Sequence, residues 1–118
     1  MEHLTEIETQ LLCDIVDDHP DRMVLREQIS LLHVLRKESS DIDMQYEFCH
    51  VPESVARTKR LNQTITGKEV LFKTPDVLCA VNLYIENGVI VALEIVSHAD
   101  KIPRNFNEYR VIPTQNIV

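Results

Sequence analysis

Apolar residues recur with helical spacing at the start of the chain and with strand alternation after it. Between Thr5 and about Asp18 they are Ile7, Leu11, Leu12, Ile15 and Val16, the buried stripe of an amphipathic helix. Thr5 followed by Glu8 has the spacing of a capping box, which sets the start of that helix. At about 100° per residue, Glu6, Gln10, Asp14 and Asp17 gather on the opposite side, so the exposed face is acidic. His19-Pro20 ends the helix, because the residue before proline is driven out of the α region. A second, shorter helix starts at Pro20 or Asp21 and runs to about Gln28 or Ile29.

Leu25, Ile29, Leu32 and Leu35 have the spacing to continue this second helix, whereas Leu31, Leu32, Val34 and Leu35 also suit a strand buried on both sides. The strand is preferred, because Ser39-Ser40-Asp41 is a turn cluster and Met44, Tyr46 and Phe48 then alternate with Gln45, Glu47 and Cys49 in a half-buried strand that needs a partner. A hairpin of residues 30–37 with 43–50 supplies one. Pro52 to Thr66, with Arg57, Lys59 and Arg60, reads as a solvated basic loop. Val70, Leu71 and Phe72 mark a strand over about 68–74, closed by Pro75-Asp76. Asn87-Gly88 between two apolar runs is the strongest hairpin signal in the chain. A type I′ turn there sets Ile85 against Ile90, Leu83 against Ala92 and Val81 against Glu94, and so places Glu94 on an otherwise apolar face. The tail from Lys101 wraps the surface, with Tyr109 to Ile112 as an edge segment. The pattern predicts one domain over residues 1–118, of the α+β class: two N-terminal helices packed on an antiparallel sheet of about five strands.

Composition adds exclusions. The 118 residues are 44% hydrophobic and 26% charged, enough for a core and unlike a disordered chain. No apolar run spans a bilayer, and Glu2, Glu6 and Glu8 conflict with a signal or transit peptide, so a cytoplasmic protein is expected. Only Gly67 and Gly88 are glycines, which removes phosphate-cradling loops, and there is no Gly-x-Ser-x-Gly elbow. Cys13, Cys49 and Cys79 show no CxxC spacing, and Cys79 reads as core. Cys49-His50 and His98 with Asp100 are the only hints of a metal or nucleophile site, so no metal, cofactor or enzymatic activity is expected.

The charge of −7 is unevenly placed. Residues 1–21 hold seven acidic side chains and no Lys or Arg, and the rest of the chain is neutral. Such a balance disfavours direct contact with nucleic acid and suits a basic protein partner. Glu6 and Glu8 sit where a helix dipole favours negative charge. Asp14, Asp17 and Asp18 sit at the other end, where each should cost roughly 0.3–1 kcal/mol, which points to a reason outside the helix. The candidate contact residues are therefore Glu6, Asp14, Asp17 and Asp18, with Asp41, Asp43 and Glu47 of the following hairpin as a second surface. The alternative is a small enzyme or ligand-binding domain with a pocket around Glu94, His98 and Asp100; for Glu94 itself a structural role is preferred over catalysis, in which it reaches an edge or pairs with an Arg or Lys.

The segment from Asp76 through VNLYIENGVIVALEIVSHADKIP resembles a pattern in a loose family of small bacterial proteins of unknown activity, on Gly88, Leu93, Glu94, Ile95, Ser97, Asp100 and Pro103. LREQISLLHV resembles that family's short helix leading into a first strand. The likeness covers about two thirds of the chain, and Pro52 to Thr66 departs from it. Size, acidity and the absence of catalytic motifs also resemble the immunity proteins of contact-dependent growth inhibition and related polymorphic toxin systems. That resemblance implies binding to a cognate toxin domain, often a basic nuclease, and occlusion of its active site; it assigns no individual residue.

Overall fold

The Thr5 hydroxyl accepts a hydrogen bond from the Glu8 amide at 3.2 Å, and the Glu8 carboxylate accepts one from the Thr5 amide at 2.9 Å. This reciprocal cap starts helix α1 (Glu6–Ile15) where its spacing requires. The computed structural model describes residues 2–49, 52, 54–73, 75–103 and 106–113. Helix α2 (Arg22–Ser30) follows the break at His19-Pro20. His19 fastens that break: Nδ1 accepts from the Asp21 amide and Nε2 meets Gln63 Oε1, each at 3.0 Å.

All strands are antiparallel and form one sheet: β1 (Glu2–His3), β2 (His33–Ser39), β3 (Asp43–Phe48), β4 (Gln63–Phe72), β5 (Val77–Glu86), β6 (Val89–Ser97) and β7 (Tyr109–Ile112), in spatial order β1-β2-β3-β6-β5-β4-β7. The α+β class and the two helices agree with the sequence; the sheet has seven strands where about five were expected. The two additional ones are β1, only two residues long, and β7, whose segment the tail did suggest. Both helices lie on one face. Leu11, Leu12, Ile15, Leu25 and Ile29 pack there against Tyr46, Val70, Phe72, Leu83 and Ile95, all nearly inaccessible. The molecule measures 42 × 41 × 19 Å, the thickness of two layers.

Two bulges decide which side chains face the helices. In β6, Ile85 pairs with Ile90 but Tyr84 pairs with Ala92, so Val91 is an extra residue and the alternation slips by one. Leu83 therefore faces Leu93 and Val81 faces Ile95, correcting the expected partners Ala92 and Glu94. Glu94 moves to the opposite face, beside Asn82 and Gln45. In β4, a bulge at Thr66-Gly67, with Gly67 at φ +86°, brings Lys68, Val70 and Phe72 to the helix side.

The segment expected as a solvated loop is also corrected. Residues from Gln63 belong to β4, and Val55 and Thr58 are buried. The Thr58 amide donates to the Gly88 carbonyl at 3.1 Å, and the Gly88 amide to the Leu61 carbonyl at 2.7 Å. Gly88, at φ +79°, lies so close to this loop that a Cβ would stand 2.6 Å from Arg57 Cβ. Gln28, fully buried, holds the junction: its amide nitrogen donates to the Ala56 and Gly88 carbonyls and its oxygen accepts from the Ile90 amide, all at 2.9 Å. The tail does more than wrap the surface, since Phe106 is buried with its ring centroid 4.6 Å from that of Phe72.

Candidate functional site: the acidic surfaces

Helix α1 carries no basic residue in its last turn, and the cation that its dipole calls for comes from the sheet. The bulge at Gly67 aims Lys68 inward, where its ammonium donates to the Ile15 carbonyl and to the Asp18 carboxylate. The hydrogen bond from Lys68 holds the Asp18 carboxyl below its usual pKa. Asp14 accepts from the Tyr109 hydroxyl at 2.6 Å and from the Gln10 amide at 3.0 Å. Burial, with the bonded Asp14 carboxylate, pushes the Tyr109 phenol up. Asp17 stands 3.8 Å from the Arg26 guanidinium, an exposed pair of little energetic weight. Asp14, Asp17 and Asp18 thus meet in one groove of about 440 Å³ that is also lined by Lys68, Tyr109 and Arg110. The reason outside the helix that their placement demanded is supplied within the chain. Two cations offset the three carboxylates, so the groove itself carries little net charge.

At the other end of α1, Glu6 is exposed, whereas Glu8 is buried over the sheet. Glu8 accepts from the Tyr46 hydroxyl and lies 3.4 Å from the Lys37 ammonium. Burial works against its charged form, but the bonds from Tyr46 and Thr5 and the Lys37 charge outweigh it, and the net shift is downward. Burial and Glu8 raise the Tyr46 phenol. This network ties α1 to β2 and β3.

The second predicted surface divides in two. Asp41 lies in the turn between β2 and β3, 3.8 Å from Lys101, and its carbonyl accepts from the Ile102 amide at 2.8 Å, while Asp43, the first residue of β3, accepts from the Ser40 hydroxyl at 2.6 Å. Glu47, further along β3 and on the same side as Asp43, faces away from the helices and is exposed. The register sets it opposite Ala92 and sets Gln45 between Glu38 and Glu94. Glu94 Oε1 accepts from Asn82 Nδ2 at 3.0 Å and from the Tyr84 hydroxyl at 3.3 Å. Its partners are thus Asn and Tyr, where an Arg or Lys was expected. A hollow of about 240 Å³ lies here, with Glu47, Ala92, Tyr84 and Glu94 among its lining residues.

Glu94, His98 and Asp100 do not line this hollow together. Four residues of extended chain, about 13 Å, separate Glu94 from His98. His98 Nε2 pairs with Glu69 at 2.8 Å, and the Asp100 carbonyl accepts from the Ser97 hydroxyl. His50 lies outside the described residues. Among the described residues, no three of His, Cys, Asp and Glu converge as a ligand set, and no helix is long and apolar enough to cross a membrane. Cys79 is fully buried in β5, which pushes its thiol up to about 11. Sequence reasoning missed the Lys68 cap, the Gln28 clamp and the face on which Glu94 stands. For Glu94 a signal was present, since Leu93-Glu94-Ile95 alternates correctly once Ile90 and Val91 are read as a break. Comparison with family models, with curated proteins and with solved structures gave no match.

Proposed function

We propose that the protein is an inhibitor of the immunity type, which binds a basic toxin domain and neutralises it by covering its active site. The observation that supports this reading is the surplus of exposed carboxylate left after internal pairing: among the described residues, Glu2, Glu6, Glu27, Glu47, Asp76, Glu86, Asp100 and Glu108 are exposed and stand in no ion pair, in a chain of net charge −7. Such a surface attracts a domain built to bind phosphates, speeds the encounter and repels nucleic acid. The reading asks no catalytic step of any side chain. Of the seven carboxylates singled out in the sequence, Glu6, Asp17, Asp41 and Glu47 are exposed enough to steer a partner; Asp14, Asp18 and Asp43 have structural bonds first.

The test is co-expression with the product of the adjacent gene. A stoichiometric complex that co-purifies, together with relief of that product's toxicity, is the expected result. No complex and no relief would exclude the reading.

A further inference from the structure

Opposite the helices, the sheet presents a face that no described element covers, and its side chains fall into two halves. Over β2, β3 and β6 it carries Arg36, Glu38, Asp43, Glu47 and Glu94, mostly acidic; over β5, β4 and β7 it carries Leu78, Leu71 and Ile112, with Glu69 and Arg110 set among them. Ala80 and Ala92 keep the middle low. We infer that this face docks a basic amphipathic segment of the protein partner, its Lys and Arg side chains over the carboxylates and its apolar side chains over Leu71 and Leu78. The inference rests on the toxin-binding reading and names the surface that performs it.

Complementarity selects the occupant. Leu78 is 38% exposed, with no described element over it, so an apolar surface laid on it gains free energy. Glu94 meets a cation at little ordering cost, since Asn82 and Tyr84 already fix its Oε1. Arg36 stands across from Glu47 in the register and 4.0 Å from Glu38, so a single cation stands among Glu38, Glu47 and Glu94 and this corner keeps a negative surplus for a visitor to meet. A second copy brings the same negative surplus with it, so across a two-fold pairing the carboxylates would outnumber the Arg36 and Arg110 side chains that could meet them. A segment with one basic and one apolar side meets both halves at once.

The experiment titrates the isotope-labelled full chain with an amphipathic Arg/Leu helical peptide, with a Glu/Leu peptide of equal length as control, and follows backbone amide shifts. Saturable shifts should centre on Gln45, Ala92 and Glu94, should weaken about tenfold in the Glu47→Gln/Glu94→Gln variant, and should vanish in Ala92→Lys, which fills the hollow. Both variants keep the wild-type melting temperature, since neither alters the helix side of the sheet. Shifts centred on the α1–β7 groove would overturn the inference and leave a basic partner in place. No saturable shift with the Arg/Leu peptide would overturn it too, and so would the same shifts arising without peptide as protein concentration rises, which would assign the face to a second copy. Failure of the toxin reading itself is detected separately, by the absence of a co-purified complex.

Discussion

Single side chains hold the separate layers of this fold together, and Gln28 is the most constrained of them. It bonds the Ala56 and Gly88 carbonyls and the Ile90 amide at a junction of α2, the 54–62 segment and the β5–β6 turn, sharing the Gly88 carbonyl with the Thr58 amide. Leaving a buried backbone group without a partner costs about 1–3 kcal/mol. Gln28→Leu leaves the buried Ile90 amide without its partner and should lower the unfolding free energy by about 1–3 kcal/mol, read from the urea midpoint, with the slope unchanged. Glu8 and Asp18 give the fold a definite response to acid. Both carboxyls ionise at lower pH in the folded chain than in the unfolded one, so their contribution is complete above the ordinary carboxylate range, near 4, and is lost as pH falls through the lower folded values. Urea midpoints should be level from neutral pH down to about 5 and fall below about 4. In Glu8→Gln the fall should be shallower, because one of the two shifted groups is gone.

The elements show how a strand can complete a helix. Lys68 reaches α1 only because the Gly67 bulge turns it inward, and its ammonium serves the Ile15 carbonyl and Asp18 together. Asp18→Asn leaves that buried ammonium without its counter-charge and should destabilise by about 1 kcal/mol, the carboxylate being largely exposed. Asp17→Asn, on the exposed pair with Arg26, should stay within about 0.5 kcal/mol by the same measurement. Local signals in the sequence placed most elements: the Thr5 box, the proline break, the alternation from Met44 to Phe48 and the Asn87-Gly88 turn all act over a few residues and all stand in the structure. What sequence could not reveal is set over long separations. The Val91 bulge, the pairing of β3 with β6, and the meeting of Lys68 with Asp18 depend on which strands lie side by side. The acidic candidates show both sides of this. Periodicity put Asp14 on the side of α1 that carries Gln10, whereas Asp17 lies past the helix end at Ile15, and the partners that reach Asp14 and Asp18, Tyr109 and Lys68, come from strands 95 and 50 residues further on.

The whole molecule is a two-layer slab, with one face of the sheet covered by helices and no described element over the other. Its charge was concentrated by sequence position in the first 21 residues, but folding redistributes it: part of that acidity is bonded to Lys68, Tyr109 and Lys37, while Glu47 and Glu94 come together from strands far apart in the chain. The proposed docking surface therefore follows from the topology more than from the charge run. Association kinetics with the co-purified partner separate the two surfaces most directly, by comparing Glu47→Gln/Glu94→Gln with Asp14→Asn/Asp17→Asn/Asp18→Asn over a range of salt. The open-face variant should associate about tenfold more slowly at low salt, with the difference narrowing as salt rises, while the α1 variant keeps a near-wild-type rate. The reverse pattern, a slow α1 variant and an unchanged open-face variant, would contradict docking on the open sheet.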